Sequence, residues 1–374
     1  MFAKVRDALW AAAFIHDFVA GERPTLFKRL GGEPQVSRHI TGEPGRRPVP
    51  FDLYVTPSRS TSPRPALVVA HGFAHEGAHD PRLEALCRRL ARLGWIVMTP
   101  EFPQMSRYQL GLDDTDDFET ALCALTRRPD VDAAHVGVLA FSFGAAPVLI
   151  GLTREPIRAR TSFALIFGGY FDLRKTMKYV LTGAYDNEGH RGRVALPAHN
   201  DDRWKFLKGN VHLIPASPTR EHYRAMLDAK IADSSHAIDI GVFSEAEKRL
   251  FRLMDNREPE RFDALYEEAA PYVDAWVRAM SPCYSAEGIT TRLVIVHSVT
   301  DPKTHFTESL AMSRHVPNAP PPRVAITNTF SHVDIRLNWR SLRTLTADVI
   351  PGVRQLWGVG LRLVRERSTS GAHV

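Results

Sequence analysis

Cysteine is scarce in this chain. Cys87, Cys123 and Cys283 are the only three in 374 residues, odd in number and without paired metal-ligand spacing. Neither a disulfide framework nor a zinc cage follows from them, and a reducing compartment, the cytoplasm, is the expected location. No lysine follows a glycine turn in the manner of a phosphate loop, so nucleotide binding has no motif. The net charge of +6 is spread along the chain; with no basic stripe and no recognisable binding motif, nucleic acid is not an expected partner. A long apolar run is also missing at the N-terminus. Leu9 to Ile15 is much too short to span a bilayer, and Asp7, His16 and Asp17 interrupt what a secretory signal would need, although a targeting role for this segment stays open. Phe2, Val5, Leu9 and Ala13 recur at helical spacing and predict an amphipathic helix lying on the protein.

What is present is ordinary globular material. Hydrophobic residues make up 44% and charged residues 24%, enough apolar content for a large core. PFDLYVTP reads as a strand and ALVVAHGF as a strand buried on both faces. An alternation comes next: a helix around Pro81 to Leu93, a strand in WIVMTPEF, a helix around Asp116 to Thr126, a strand in HVGVLAFS, a helix from Phe143 and a strand in TSFALIFGG. Such alternation predicts an α/β fold with a mostly parallel, doubly wound sheet, whose ligands sit beyond the carboxyl ends of the strands. After Asp172 the rhythm breaks into a helical, aromatic stretch, then resumes with TTRLVIVHS, a helix around Thr307 to His315, a strand in PRVAIT and a helix near Trp339 to Val349. The expected division is therefore a core of residues 1–172 and 286–374 with a mainly helical cap, 173–285, inserted between late core strands.

The chemistry centres on Gly137-Val-Leu-Ala140-Phe141-Ser142-Phe143-Gly144-Ala145-Ala146, a buried strand running through a serine into a small-residue helix. A serine exposed on a tight strand-to-helix turn needs small residues two positions to either side, which Ala140 and Gly144 supply. A plain helix N-cap serine would read the same locally. The pattern resembles the nucleophile elbow of the α/β-hydrolase superfamily, with Ala140 where glycine is commonest. That resemblance implies a catalytic order of serine, acid, histidine. Asp301, after the strand LVIVHS and before Pro302, and His332, after the strand VAIT, occupy the matching places. Each alone reads equally as a turn or loop residue, and Asp172, at the end of the preceding strand, is a rival acid.

The resemblance further implies an oxyanion hole from the backbone N–H groups of Phe73 and Phe143. It also implies substrate contact at His71 and Gly72, which match the family's His-Gly-x pattern. Tyr170 and Phe171, with Tyr179 and Trp204 in the cap, are candidates to line a pocket. His71, His75, Glu76, His79 and Asp80 crowd one loop, but glycines interrupt it and no HExxH face forms, so no metal and no cofactor are expected. The expected activity is that of a serine hydrolase, a carboxylesterase acting on a small-molecule ester through an acyl-enzyme. Amide or peptide, thioester and C–C bond hydrolysis on the same triad are alternatives, and a non-catalytic binding protein on the same fold is another. The C-terminal segment VRQLWGVGLRLVRER puts Val353, Trp357, Leu361 and Val364 on one face, for packing on the core or for peripheral membrane contact. Oligomeric state is not legible.

Overall fold

The computed structural model describes residues 2–42, 45–58, 60–196, 201–317, 321–328, 330–331, 334–335 and 350–369. Ten strands build the main sheet and an inserted hairpin: β1 (Gln35–Ile40), β2 (Pro50–Val55), β3 (Arg64–Ala70), β4 (Ile96–Pro100), β5 (Val131–Phe141), β6 (Phe163–Phe167), the hairpin strands β7 (Ala184–Asn187) and β8 (His190–Arg193), then β9 (Leu293–Ser298) and β10 (Arg323–Thr327). Eight of these form one sheet in the order β1-β2-β4-β3-β5-β6-β9-β10. β1, β2 and β4 pair antiparallel in turn, and every pairing from β4 to β10 is parallel. The central strands are buried along nearly their whole length because helices cover both faces, which is why they read as continuous runs of Val, Leu, Ile and Ala. Two apolar cores result, one on each side of the sheet.

Local sequence sets the helix boundaries. Asp80 caps Pro81–Arg92 by accepting the Arg82 N–H, and Pro81 starts the first turn where its missing N–H costs nothing. Asp172 caps Leu173–Thr182 by accepting the Lys175 N–H at 3.2 Å, and Gly183, at φ +74°, ends that helix in a left-handed turn. Ser244 and Glu247 form a reciprocal capping box at the start of Glu245–Asp255. Between β6 and β9 lie the β7–β8 hairpin and the helices Leu173–Thr182, Asp202–Gly209, Arg220–Ala232, Glu245–Asp255 and Pro259–Ala279. The hairpin carries no apolar alternation, so it is silent in a reading by periodicity. The helix expected near Trp339 to Val349 lies outside the described residues.

The N-terminal helix is present as Phe2–Ala20, but not in the phase its apolar spacing predicts. Val5 and Leu9 are 55% and 67% exposed, whereas Asp7, Ala11, Phe14 and Asp17 face inward. The reason is polar as well as apolar. Asp17 is buried because it accepts hydrogen bonds from Thr25 Oγ1 and, at 2.8 Å, from Arg89 Nε, while Phe14 meets Phe27 edge to face at 5.9 Å. A buried ion pair thus outranks hydrophobic spacing in orienting the helix. The C-terminal helix Ile350–Thr369 lies against it and buries Leu363 and Val364; Arg367 passes over the Trp10 ring and donates to the Leu93 carbonyl.

Candidate functional site

Parallel pairing brings the carboxyl ends of five strands to one edge of the sheet. Ala70 pairs with Ala140, Phe141 with Phe167, Phe167 with Val296 and Ser298 with Thr327. The loops that leave these strand ends therefore emerge on the same side.

Ser142 directly succeeds β5. Its φ is +52°, the left-handed region that a residue with a Cβ enters at a cost of roughly 1–3 kcal/mol. The strain is held in place by very close packing. A Cβ on Gly72 would sit 2.7 Å from Ser142 Cβ and 2.9 Å from the Phe141 carbonyl oxygen, and one on Gly144 would sit 2.0 Å from the His71 carbonyl oxygen. Ala140 is wholly buried. The loop after β3 is thus pressed onto the turn after β5, and glycine at 72 and 144 is what permits the contact. Ser142 opens a short 3₁₀ turn, Ser142–Gly144, that leads into the helix Ala145–Gly151.

The same contact places Phe73 beside Phe143. Their rings stack at 4.4 Å, 15° from parallel. Among the described residues, neither backbone N–H is engaged in a turn, loop or side-chain hydrogen bond. His71 is fixed beneath them: Nδ1 meets the Gly72 carbonyl at 2.9 Å, and Nε2 accepts the Phe102 N–H at 3.2 Å. Burial pushes its pKa down to about 4, so the ring is neutral and holds the loop in shape.

Asp301 lies on the loop after β9 and is buried. Its Oδ1 accepts the N–H groups of Lys303 (2.8 Å) and Thr304 (3.0 Å), and its Oδ2 is 3.6 Å from Nε2 of the buried His297. Thr304 Oγ1 in turn donates to the Gly168 carbonyl at 2.8 Å, which ties the acid loop to the end of β6. From the opposite side Tyr179, on the helix Leu173–Thr182, donates its hydroxyl to the Asp301 carbonyl at 2.6 Å. His332 lies outside the described residues; it is five positions beyond Thr327, the last residue of β10.

A cavity of about 850 Å³ opens at these groups, and Ser142, His71, Gly72, Phe73 and Phe143 border it together with Pro302 and Lys303 of the acid loop. Four aromatic candidates do not border it. Tyr170 is fully buried, donating to the Met280 carbonyl at 2.8 Å and packing its ring on Phe143; Phe171 is buried with its N–H given to Glu308. Tyr179 is occupied with Asp301, and Trp204 stacks on Phe251 within the inserted helices. These rings support the site from behind, because each finds a fuller apolar or hydrogen-bonding environment there than at a solvent-facing wall.

Several lining groups have no signal in the sequence, among them Tyr108, Met177 and Phe206. Tyr108 is presented by a left-handed turn (φ +59°), and Phe206 comes from a helix with weak amphipathic character. Glu308 is equally silent in the sequence. It is buried, accepts the N–H groups of Phe171 and Asp172 and the Asn187 side-chain amide, and is pushed up to about 7 by desolvation.

No family model matches the chain, and no curated protein matches it. Solved structures do. The uncomplexed acylaminoacyl peptidase of Pyrococcus horikoshii is 12% identical, with 91% of this chain and 43% of that one covered and a TM-score of 0.50. A puromycin-hydrolyzing peptidase of Mycobacterium tuberculosis is 14% identical (91% and 40% covered, TM-score 0.49), and the 2,6-dihydroxy-pseudo-oxynicotine hydrolase 17% identical (91% and 70% covered, TM-score 0.49). The chain spans less than half the length of the two peptidases. With its strand order, its mostly parallel pairing and helices on both faces, the chain has the α/β-hydrolase fold.

Proposed function

We propose that the protein is a serine hydrolase that cleaves carboxylic esters, with Ser142 as nucleophile, His332 as general base and Asp301 as the acid that orients it. The observation that carries this reading is the strained φ of Ser142, clamped under the Gly72 loop at the head of a cavity that the Asp301 loop also borders. Backbone strain at a strand end that opens on a cavity is retained where function needs it. Ser142 Oγ attacks the ester carbonyl as its proton passes to His332, and the N–H groups of Phe73 and Phe143 receive the developing oxyanion. Collapse expels the alkoxide, which takes the proton from His332. Water then repeats the sequence on the acyl-enzyme and releases the acid. Asp301 remains ionised and stabilises the imidazolium.

An ester is the simplest substrate because an activated serine with two oxyanion donors expels an alkoxide without further help. Amide cleavage is the second reading, favoured by the peptidases among structures of the same fold. Assay of short 4-nitrophenyl esters beside the matching 4-nitroanilides separates the two. The expected result is ester turnover and fluorophosphonate labelling by the wild type, with both lost in a folded Ser142→Ala variant. Ester hydrolysis at near wild-type rate by that variant would refute the assignment. The sparse cysteines support a cytoplasmic location. Among the described residues no helix is long and apolar enough to cross a membrane.

A further inference from the structure

Resting on that hydrolase reading, we propose that the substrate is an uncharged ester with a bulky apolar group, an arylalkyl ester being the simplest example, and that Phe206 and Tyr108 determine this preference. The ring of Phe73, the residue whose backbone N–H is one of the two proposed oxyanion donors, has Tyr108 at 5.2 Å and Phe206 at 6.1 Å between ring centres. All three border the cavity together with Ser142, and Met177 and Leu173 of the helix Leu173–Thr182 join them. A substrate group that extends on this side from the ester carbonyl attacked by Ser142 Oγ meets aromatic edges and aliphatic side chains.

The wall is built, not incidental. Asn210 donates to the Tyr108 carbonyl at 3.0 Å and accepts the Leu110 N–H at 3.2 Å, and a Cβ on Gly209 would come within 2.5 Å of the Arg107 carbonyl oxygen. The end of the helix that carries Phe206 is therefore locked onto the turn that carries Tyr108. Trp276 reinforces the lock, donating its indole N–H to the Leu110 carbonyl at 3.0 Å while packing 5.9 Å from Phe206.

Most of the charge at the cavity is engaged inside the protein. Among the described lining residues, Lys303 pairs with Asp202, Arg82 with Asp80 at 2.6 Å, and Arg89 with Asp17 at 2.8 Å. Arg203 donates to the Met254 carbonyl at 3.1 Å and lies 3.6 Å from the Asp255 carboxylate, while its Nε has no hydrogen-bond partner among the described residues. The remaining charged group, Glu22, is exposed just past the N-terminal helix. Except at the solvent-exposed Glu22, an ammonium or carboxylate on the substrate would lose its hydration and find the lining charges engaged within the protein, a heavy penalty in a largely apolar site. To meet Asp202, a substrate amine would have to displace Lys303.

The test measures kcat/KM of the wild-type protein for methyl phenylacetate, for its 4-aminomethyl and 4-carboxy derivatives, and for benzyl acetate and methyl acetate. At least one of the two neutral aryl esters should exceed methyl acetate by tenfold or more, and each charged derivative should fall at least a hundredfold below methyl phenylacetate. In Phe206→Ala the aryl-to-methyl ratio should collapse toward unity, with thermal unfolding recorded to verify the fold and Phe206→Leu as a milder second variant. Fluorophosphonate labelling of Ser142 with a charged derivative turned over as well as the neutral ester would overturn this inference alone. Absence of both labelling and ester turnover would overturn the hydrolase reading and this inference with it.

Discussion

Gly72 has no side chain, and the site depends on that. A methyl group there would overlap Ser142 Cβ and the Phe141 carbonyl, neither of which can yield without moving the β5 turn. Gly72→Ala should lower kcat/KM by at least a hundredfold and cost roughly 1–3 kcal/mol of stability, as overpacking does; urea unfolding beside ester assay measures both. The two candidate acids separate at the same scale. Asp301 is buried in a net of N–H donors on the cavity side, whereas Asp172 is engaged as a helix cap. Asp301→Asn should therefore reduce kcat by several orders of magnitude. Asp172→Asn should leave both kcat and stability close to wild type, because asparagine caps as well as aspartate. The reverse ranking in steady-state kinetics would transfer the role to Asp172. Of these candidate residues, Ser142, Gly72 and Asp301 are singled out by the sequence because small-residue and strand-end patterns are local. Tyr108 and Phe206 are not, since nothing in the sequence near either shows that they meet at one cavity wall.

At the scale of the element, the helix Asp113–Thr126 carries an anomaly. Asp114 is fully buried in its first turn, and among the described residues neither carboxylate oxygen has a hydrogen-bond partner. Desolvation, with Asp117 nearby, pushes its pKa up to about 8. The folded state therefore holds this proton more tightly than the unfolded chain does. The stabilisation is complete below the ordinary carboxylate range near 4 and is lost as pH rises through about 8. Asp114→Asn, which cannot ionise, should gain on wild type as pH rises, and urea midpoints at pH 5 and pH 8.5 would show it. A constant difference between the two proteins would mean that Asp114 is not protonated in the fold. Element type and order are largely readable from apolar periodicity and strand–helix alternation. β1 is not, since all six of its residues are exposed and it exists only because β2 offers it an edge.

For the molecule as a whole, the N-terminal helix is joined to the core through Asp17 and Arg89, a pair buried between the chain start and the helix Pro81–Arg92. Removing one partner leaves the other charge buried, a change worth about 3–5 kcal/mol in such pairs. Lys28, 3.8 Å from Asp17, offsets part of this. Arg89→Ala should thus lower the thermal midpoint by several degrees, and an unchanged midpoint would show that the helix is not tied down by this pair. Features that depend on near neighbours in the chain can be read from sequence: the buried parallel strands and the serine turn with its flanking small residues. Long-range packing settles the rest, namely which face of the N-terminal helix is inside, which aromatics border the cavity and which only support it, and how each charge near the site is paired. Those outcomes turn on contacts between residues dozens of positions apart, such as Asp17 with Arg89 and Tyr108 with Asn210, and the energy of a buried ion pair or a packed ring belongs to the pair and to its surroundings.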